Sequence, residues 1–76
     1  MTRERLEKKY GIKIVKTYYY DFLRNRYTYE YTMYSADGCK WENGLRTLAS
    51  VEKECKTWEH TLLEIKRIVS VRRERV

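Results

Sequence analysis

Polar and apolar residues alternate along two neighbouring stretches of this chain, and most of the apolar positions are tyrosines. Over 12–22 one set of alternate positions reads Ile12, Ile14, Lys16, Tyr18, Tyr20, Phe22, and the other reads Lys13, Val15, Thr17, Tyr19, Asp21. Over 27–35 the sets are Tyr27, Tyr29, Tyr31, Met33 and Thr28, Glu30, Thr32, Tyr34. A period of two predicts strands over 12–22 and 27–35, with the first set of each facing inward. Residues 23–26 form the hairpin loop between them, and Asn25 there can take a positive φ.

The next turn follows from parity. A two-residue turn at Asp37-Gly38 would leave Trp41 on the Thr/Glu face. A three-residue loop over 36–38, with Gly38 as the left-handed residue, sets Ser35 opposite Cys39 and Met33 opposite Trp41. That register gathers Trp41 and Leu45 with the tyrosines, and Lys40 and Glu42 with Glu30 and Thr32. A slip of one residue inverts every side chain, so the hydrophobic pattern selects the longer loop. The third strand covers 39–47, with Gly44 marking a bulge or a close approach.

After Ser50 the period becomes helical. Val51, Cys55, Trp58, Leu62, Ile65 and Val69 recur at spacings of three and four, and Ser50 is a good N-cap. The pattern predicts a helix over 51–70 that covers the tyrosine face, followed by a fraying basic tail over 71–76. A helix-to-helix seam in a homodimer is the second use of the same stripe. At the other end Thr2 caps a short helix over 3–10 that stops at Gly11, with Leu6 and Tyr10 as its only apolar pair. The fold class is therefore α+β in the order α-β-β-β-α. It is a single domain over 1–76, with a three-stranded antiparallel meander. In it Tyr18, Tyr20, Tyr27, Tyr29 and Tyr31 are core rings beneath the second helix, and only Tyr19 and Tyr34 face out.

Length bears on this core. A chain of 76 residues hides only about 60% of its unfolded surface, and large rings help it build a core. Cys39 and Cys55 have no metal-ligand spacing and read as buried thiols of a reducing compartment. The chain carries no secretory leader pattern and no apolar run of membrane-spanning length. A cytoplasmic protein without a membrane, cofactor or metal is the expectation.

Charge adds a candidate function. The net charge is +6, with +4 in residues 1–16 and +4 in residues 66–76, while 27–65 is acidic. Bases collected at the ends and in one loop fit an acidic partner, nucleic acid first. Lys8, Lys9, Lys13, Arg24, Arg26, Lys53, Lys56, Arg72, Arg73 and Arg75 are the candidate phosphate contacts. The outward sheet face offers Tyr19 and Tyr34 for stacking, but Asp21, Glu30 and Glu42 share it and oppose a phosphate backbone. Catalysis has little to build on. His60 is the only histidine, its helix neighbour Glu64 makes an ordinary solvated pair, and there is no partnered nucleophile or glycine-rich phosphate loop. The chain reads as a non-enzyme.

The element order resembles that of the double-stranded-RNA-binding domain, and three strands with a helix resemble the amino-terminal arm-binding domain of some integrases. In the first family a basic cluster at the start of the last helix reaches phosphates. Lys53 and Lys56 fit that pattern, and Glu52 stands where another lysine is expected. A small, highly charged chain with no catalytic set also resembles accessory proteins of phages and mobile elements, some of which inhibit or recruit host proteins, anti-CRISPR proteins among them. That resemblance implies a protein partner, contacted through Tyr19, Tyr34, Leu63 and Ile68. A structural domain with no nucleic-acid affinity is the plain alternative.

Overall fold

The computed structural model of the chain describes residues 2–74. Six elements follow one another: α1 (Arg3–Tyr10), β1 (Lys13–Asp21), β2 (Arg26–Tyr34), β3 (Lys40–Leu45), α2 (Leu48–Thr57) and α3 (Glu59–Glu74). The strands form one antiparallel sheet in the order β1-β2-β3. This is the α+β meander read from the alternation, with an N-terminal helix and a C-terminal helical segment.

α1 begins where the Thr2 hydroxyl accepts the Arg5 backbone N–H at 3.3 Å, and it ends at Gly11 with φ 66°. Two turns with one apolar pair do not hold a helix in water. Docking supplies the stability, since Leu6 and Tyr10 are completely enclosed. Lys66 of α3 closes the other end of α1. Its ammonium donates to the Lys8 and Lys9 carbonyl oxygens at 2.8 and 3.1 Å. Those carbonyls have no partner inside the helix, and a cation there also suits the dipole.

The β1–β2 hairpin pairs without interruption from Lys13 with Tyr34 to Asp21 with Arg26. Its loop is residues 22–25, one position earlier than the alternation predicts, and Asn25 there has φ 52°. The Asp21 carboxylate accepts the Leu23 and Arg24 N–H groups at 3.1 and 3.3 Å, a local turn that Asp makes readily.

The β2–β3 connection is the three-residue loop selected by parity, with Tyr34 opposite Lys40 and the Ser35 N–H bonded to the Cys39 carbonyl at 2.9 Å. The register then shifts twice. Met33 faces Glu42 rather than Trp41, and Tyr31 faces Leu45. Gly44, at φ 72°, lies within the second shift, as a left-handed bulge residue should. Two bulges and an early end at Leu45 leave β3 paired only with residues 31–34. No strand pairs with that side of β2 over residues 26–30 among the described residues.

The C-terminal helical segment starts earlier than Ser50 and is not continuous. Thr47 is the N-cap, its hydroxyl oxygen accepting the Ser50 N–H at 3.1 Å. Both residues suit the role, and Thr47 takes it because the earlier start brings Leu48 against the core. The helix breaks at Trp58, where φ is −110° and ψ is 22°. Just before the break the Thr57 hydroxyl donates to the Lys53 carbonyl at 2.9 Å, and the Trp58 indole N–H donates to the Glu54 carboxylate at 3.0 Å. Side-chain bonds of the first kind bend helices. α3 then runs on through Arg72 and Arg73, where a fraying tail was expected, and it packs on α1 and α2 rather than on any strand.

The core is Leu6, Tyr10, Ile12, Ile14, Tyr31, Met33, Val51, Cys55 and Leu62, flanked by Trp41, Leu45 and Leu48. Trp41 meets Trp58 edge-on at 5.8 Å. α1 and α2 pack on the sheet at the end that holds Ile14 and Met33, and α3 packs on them. The other half of the β1–β2 hairpin extends beyond them, and the molecule measures 50 Å along its length against 24 and 17 Å across. The expected ring core is therefore corrected. Tyr31 is enclosed, but Tyr18 is 66%, Tyr27 77% and Phe22 86% exposed. Parity assigned these side chains to the right face; the helices do not reach far enough to cover it.

Candidate nucleic-acid interface

The projecting half of the hairpin holds the most exposed large apolar side chains among the described residues. Register places Tyr18 across from Tyr29 and Tyr20 across from Tyr27 on the same face. The rings brace one another edge to face, Tyr18 with Tyr29 at 6.1 Å, Tyr20 with Tyr27 at 5.1 Å and Tyr20 with Phe22 at 5.0 Å. Such pairs are favourable arrangements of ring quadrupoles. The Tyr20 hydroxyl donates to the Asn25 side-chain carbonyl, which ties the ring set to the loop. Leu23 stands at the tip, 98% exposed.

Cations surround these rings. Lys16 lies on the same face, its ammonium 4.1 Å from the Tyr29 ring centre and 5.2 Å from that of Tyr18. Hydrogen bonding to Tyr18 and the neighbouring phenols hold its pKa above the ordinary lysine value. At the open edge of β2, Arg24, Arg26 and Arg46 line a shallow hollow with Thr28 and Tyr29, about 410 Å³ in volume. Arg24 reaches Asp21 only at 3.9 Å. Arg26 and Arg46 make no ion pair among the described residues. Arg46 follows the last residue of β3, which pairs with Tyr31, and so it stands beside the uncovered part of β2.

The other candidate bases are dispersed. Lys8 and Lys9 occupy the last turn of α1, and Lys13 begins β1 at the covered end of the hairpin. A nine-residue strand separates this end from the arginine loop, roughly 30 Å at the usual rise. Arg72 lies with Asp37 and Ile68 beside the β2–β3 turn, and Arg73 follows it in the last turn of α3. Lys53 and Lys56 are exposed on α2, Lys56 paired with Glu52 at 3.5 Å. Arg75 lies outside the described residues.

The candidate protein-contact residues do not gather. Tyr19 and Tyr34 share the outer face, but at opposite halves of the hairpin. Leu63 and Ile68 are part-exposed on α3. A second cleft, about 440 Å³, opens at the covered end among Gly11, Ile12, Val15, Tyr34 and Ala36, with Lys13 its one charged side chain.

Other reactive groups are held quiet. The Glu64 carboxylate pairs with Arg67, which keeps it below the usual carboxylate range, and His60 stays exposed. Burial pushes the Cys55 thiol up to about 11. Cys39, expected inside, is exposed, since it precedes β3 in the exposed stretch over 37–40. The charge of Asp37 raises its pKa. Asp37 itself is held low by the Ser35 hydroxyl and by the Cys39 N–H, which donates to it at 3.2 Å. No described helix is long and apolar enough to cross a membrane, and no described cluster of three His, Cys, Asp or Glu side chains could hold a metal ion.

The sequence reading reached Arg24 and Arg26 but not Arg46, Lys16 or the exposed rings. One local signal was present. Lys16 is the only charged residue among the inward positions of the first strand, and a lysine there marks where a sheet face leaves the core. No protein-family model matches this chain, and no characterised protein or solved structure does either.

Proposed function

We propose that this is a small, non-enzymatic nucleic-acid-binding protein that contacts phosphates through Arg24, Arg26 and Arg46 at the projecting end of the hairpin. One observation carries the reading: the hollow of Arg24, Arg26 and Arg46 meets the exposed ring set at Tyr29, and of the three only Arg24 has an ion pair among the described residues, at 3.9 Å. Arginine suits phosphate because its planar fork donates two bonds at once and keeps its charge at every physiological pH. Lys8, Lys9, Lys13, Arg72 and Arg73 add positive charge at the far end, away from the exposed ring set, and so supply attraction rather than a shaped site.

The exposed tyrosines and arginines also suit a protein partner, because both residue types are frequent interface hot spots. Salt separates the readings. Phosphate binding releases condensed counterions, so affinity falls steeply between ~50 and ~200 mM salt. Replacing Arg24 and Arg26 together by Ala removes two contacts and lowers the log–log salt slope by roughly 1.4–1.8. Absence of binding to any nucleic acid at ~50 mM salt, where the attraction is strongest, refutes the proposal and leaves the protein partner.

A further inference from the structure

We propose that the hairpin takes single-stranded nucleic acid, stacking unpaired bases on Tyr18, Phe22 and Tyr27 while the three arginines hold the phosphates. This deepens the nucleic-acid reading and rests on it. The rings are already in place, because they fix one another edge to face at 5.0–6.1 Å and Asn25 holds Tyr20. Bases meeting them pay little ordering cost.

Spacing points to an unpaired strand. Tyr27 lies diagonally across the hairpin from Tyr18, two positions along from its partner Tyr29, so the two side chains leave the sheet about 7–8 Å apart. That is about twice the 3.4 Å between neighbouring bases in a duplex strand. Successive bases can meet successive rings only if they come apart from each other, which a duplex resists and a single strand permits. Stacking of this kind accepts any base, since each has a flat π-face. It does not read the sugar, so single-stranded DNA and RNA share the chemistry.

Charge favours an anionic strand over a second copy of this chain. The paired residues of the ring face are Ile14, Lys16, Tyr18 and Tyr20 against Tyr27, Tyr29, Tyr31 and Met33, so the one charge among these is a cation. Asp21 and Glu30 are absent from this face, and Glu42, opposite Met33, lies at its helix-covered end beside Trp41 and Trp58. Joining two such hairpins would bring together Lys16, Arg24, Arg26 and Arg46 from each copy, whereas phosphates neutralise them.

The test uses labelled oligothymidylate and oligouridylate of about 20 nucleotides and a duplex of equal length, titrated at ~50 mM salt. Proteins are the full chain, a Tyr18→Ala/Tyr27→Ala variant and an Arg24→Ala/Arg26→Ala/Arg46→Ala variant. Circular dichroism checks that each folds, which the exposure of these side chains favours. Tighter binding of either single strand than of duplex, with about tenfold lost per ring from single strands and little from duplex, is the expected result. The arginine variant should weaken all three. Equal affinity for single strand and duplex, or no loss on removing the rings, overturns the stacking proposal while leaving the phosphate reading intact. Binding to none of the probes overturns both. Elution of the free protein as a dimer that the ring variant splits would assign the face to a second copy instead.

Discussion

Removing the most exposed ring, Phe22, should cost the fold clearly less than removing an enclosed side chain. Phe22 hides only about a seventh of its surface, which is ~30 Å² of a ring that offers ~200 Å² when enclosed. At ~25 cal/mol/Å² its burial contributes about 0.7 kcal/mol. Its edge-on contact with Tyr20 adds about 0.5–1.5 kcal/mol. Phe22→Ala is thus expected to cost about 1–2 kcal/mol. Leu62 is the control. It is 1% exposed among Leu6, Val51 and Cys55, and a Leu→Ala change in such a place costs about 2–5 kcal/mol. For a chain of 76 residues total stability is about 4–11 kcal/mol, so Leu62→Ala removes a larger share than Phe22→Ala. Urea unfolding followed by tryptophan fluorescence measures both, because Trp41 and Trp58 report on the helix-covered end. A Phe22→Ala loss equal to that of Leu62→Ala would mean that something covers the ring, and would refute the account of the projecting hairpin.

Three further outcomes are expected. Thr47→Ala should cost about 0.5–2 kcal/mol through loss of the α2 cap, and Ser50→Ala clearly less; equal losses in thermal unfolding would remove Thr47 from that role. Gly11→Ala should destabilise more than Gly38→Ala in the same assay. Both sites have positive φ, which costs a residue with a Cβ about 1–2 kcal/mol. Only at Gly11 would that Cβ meet another side chain, 2.6 Å from Lys66 Cγ, with nothing within 4 Å at Gly38. With a thiol reagent at about pH 8, Cys39 should react in the folded protein and Cys55 only after unfolding. Asp37→Asn should speed the Cys39 reaction, since removing a negative neighbour lowers the thiol pKa and raises the thiolate fraction. An unchanged rate would show that the Asp37 charge does not reach the thiol.

Side-chain direction was legible in this sequence because a strand has a strict period. Ile14, Tyr31 and Met33 lie under the helices and Tyr18, Tyr20, Tyr27 and Tyr29 on the same face, as alternation requires. The three-residue loop and the bulge glycine followed from the same rule. What alternation does not carry is distance. How far the helices cover the sheet depends on the bend at Trp58, where two side-chain bonds compete with the helix, and on two bulges that leave β3 short of residues 26–30. Those are tertiary outcomes with only faint local marks. Arg24 and Arg26 were found because a loop exposes whatever it contains. Arg46 was not, since only the shifted register of β3 sets it beside Tyr29.

The open side of β2 has a consequence for handling the protein. Residues 27–30 read Tyr-Thr-Tyr-Glu, a segment of high strand propensity with one charge, and on its outer side no strand pairs with it among the described residues. Such a segment is a template for adding strands from other chains, the first step of aggregation. Arg26 at its start and Glu30 within it act as gatekeepers, since a chain docking in register must desolvate them. The protein should therefore tolerate concentration better in low salt than in high, and variants that neutralise Arg26 should precipitate first.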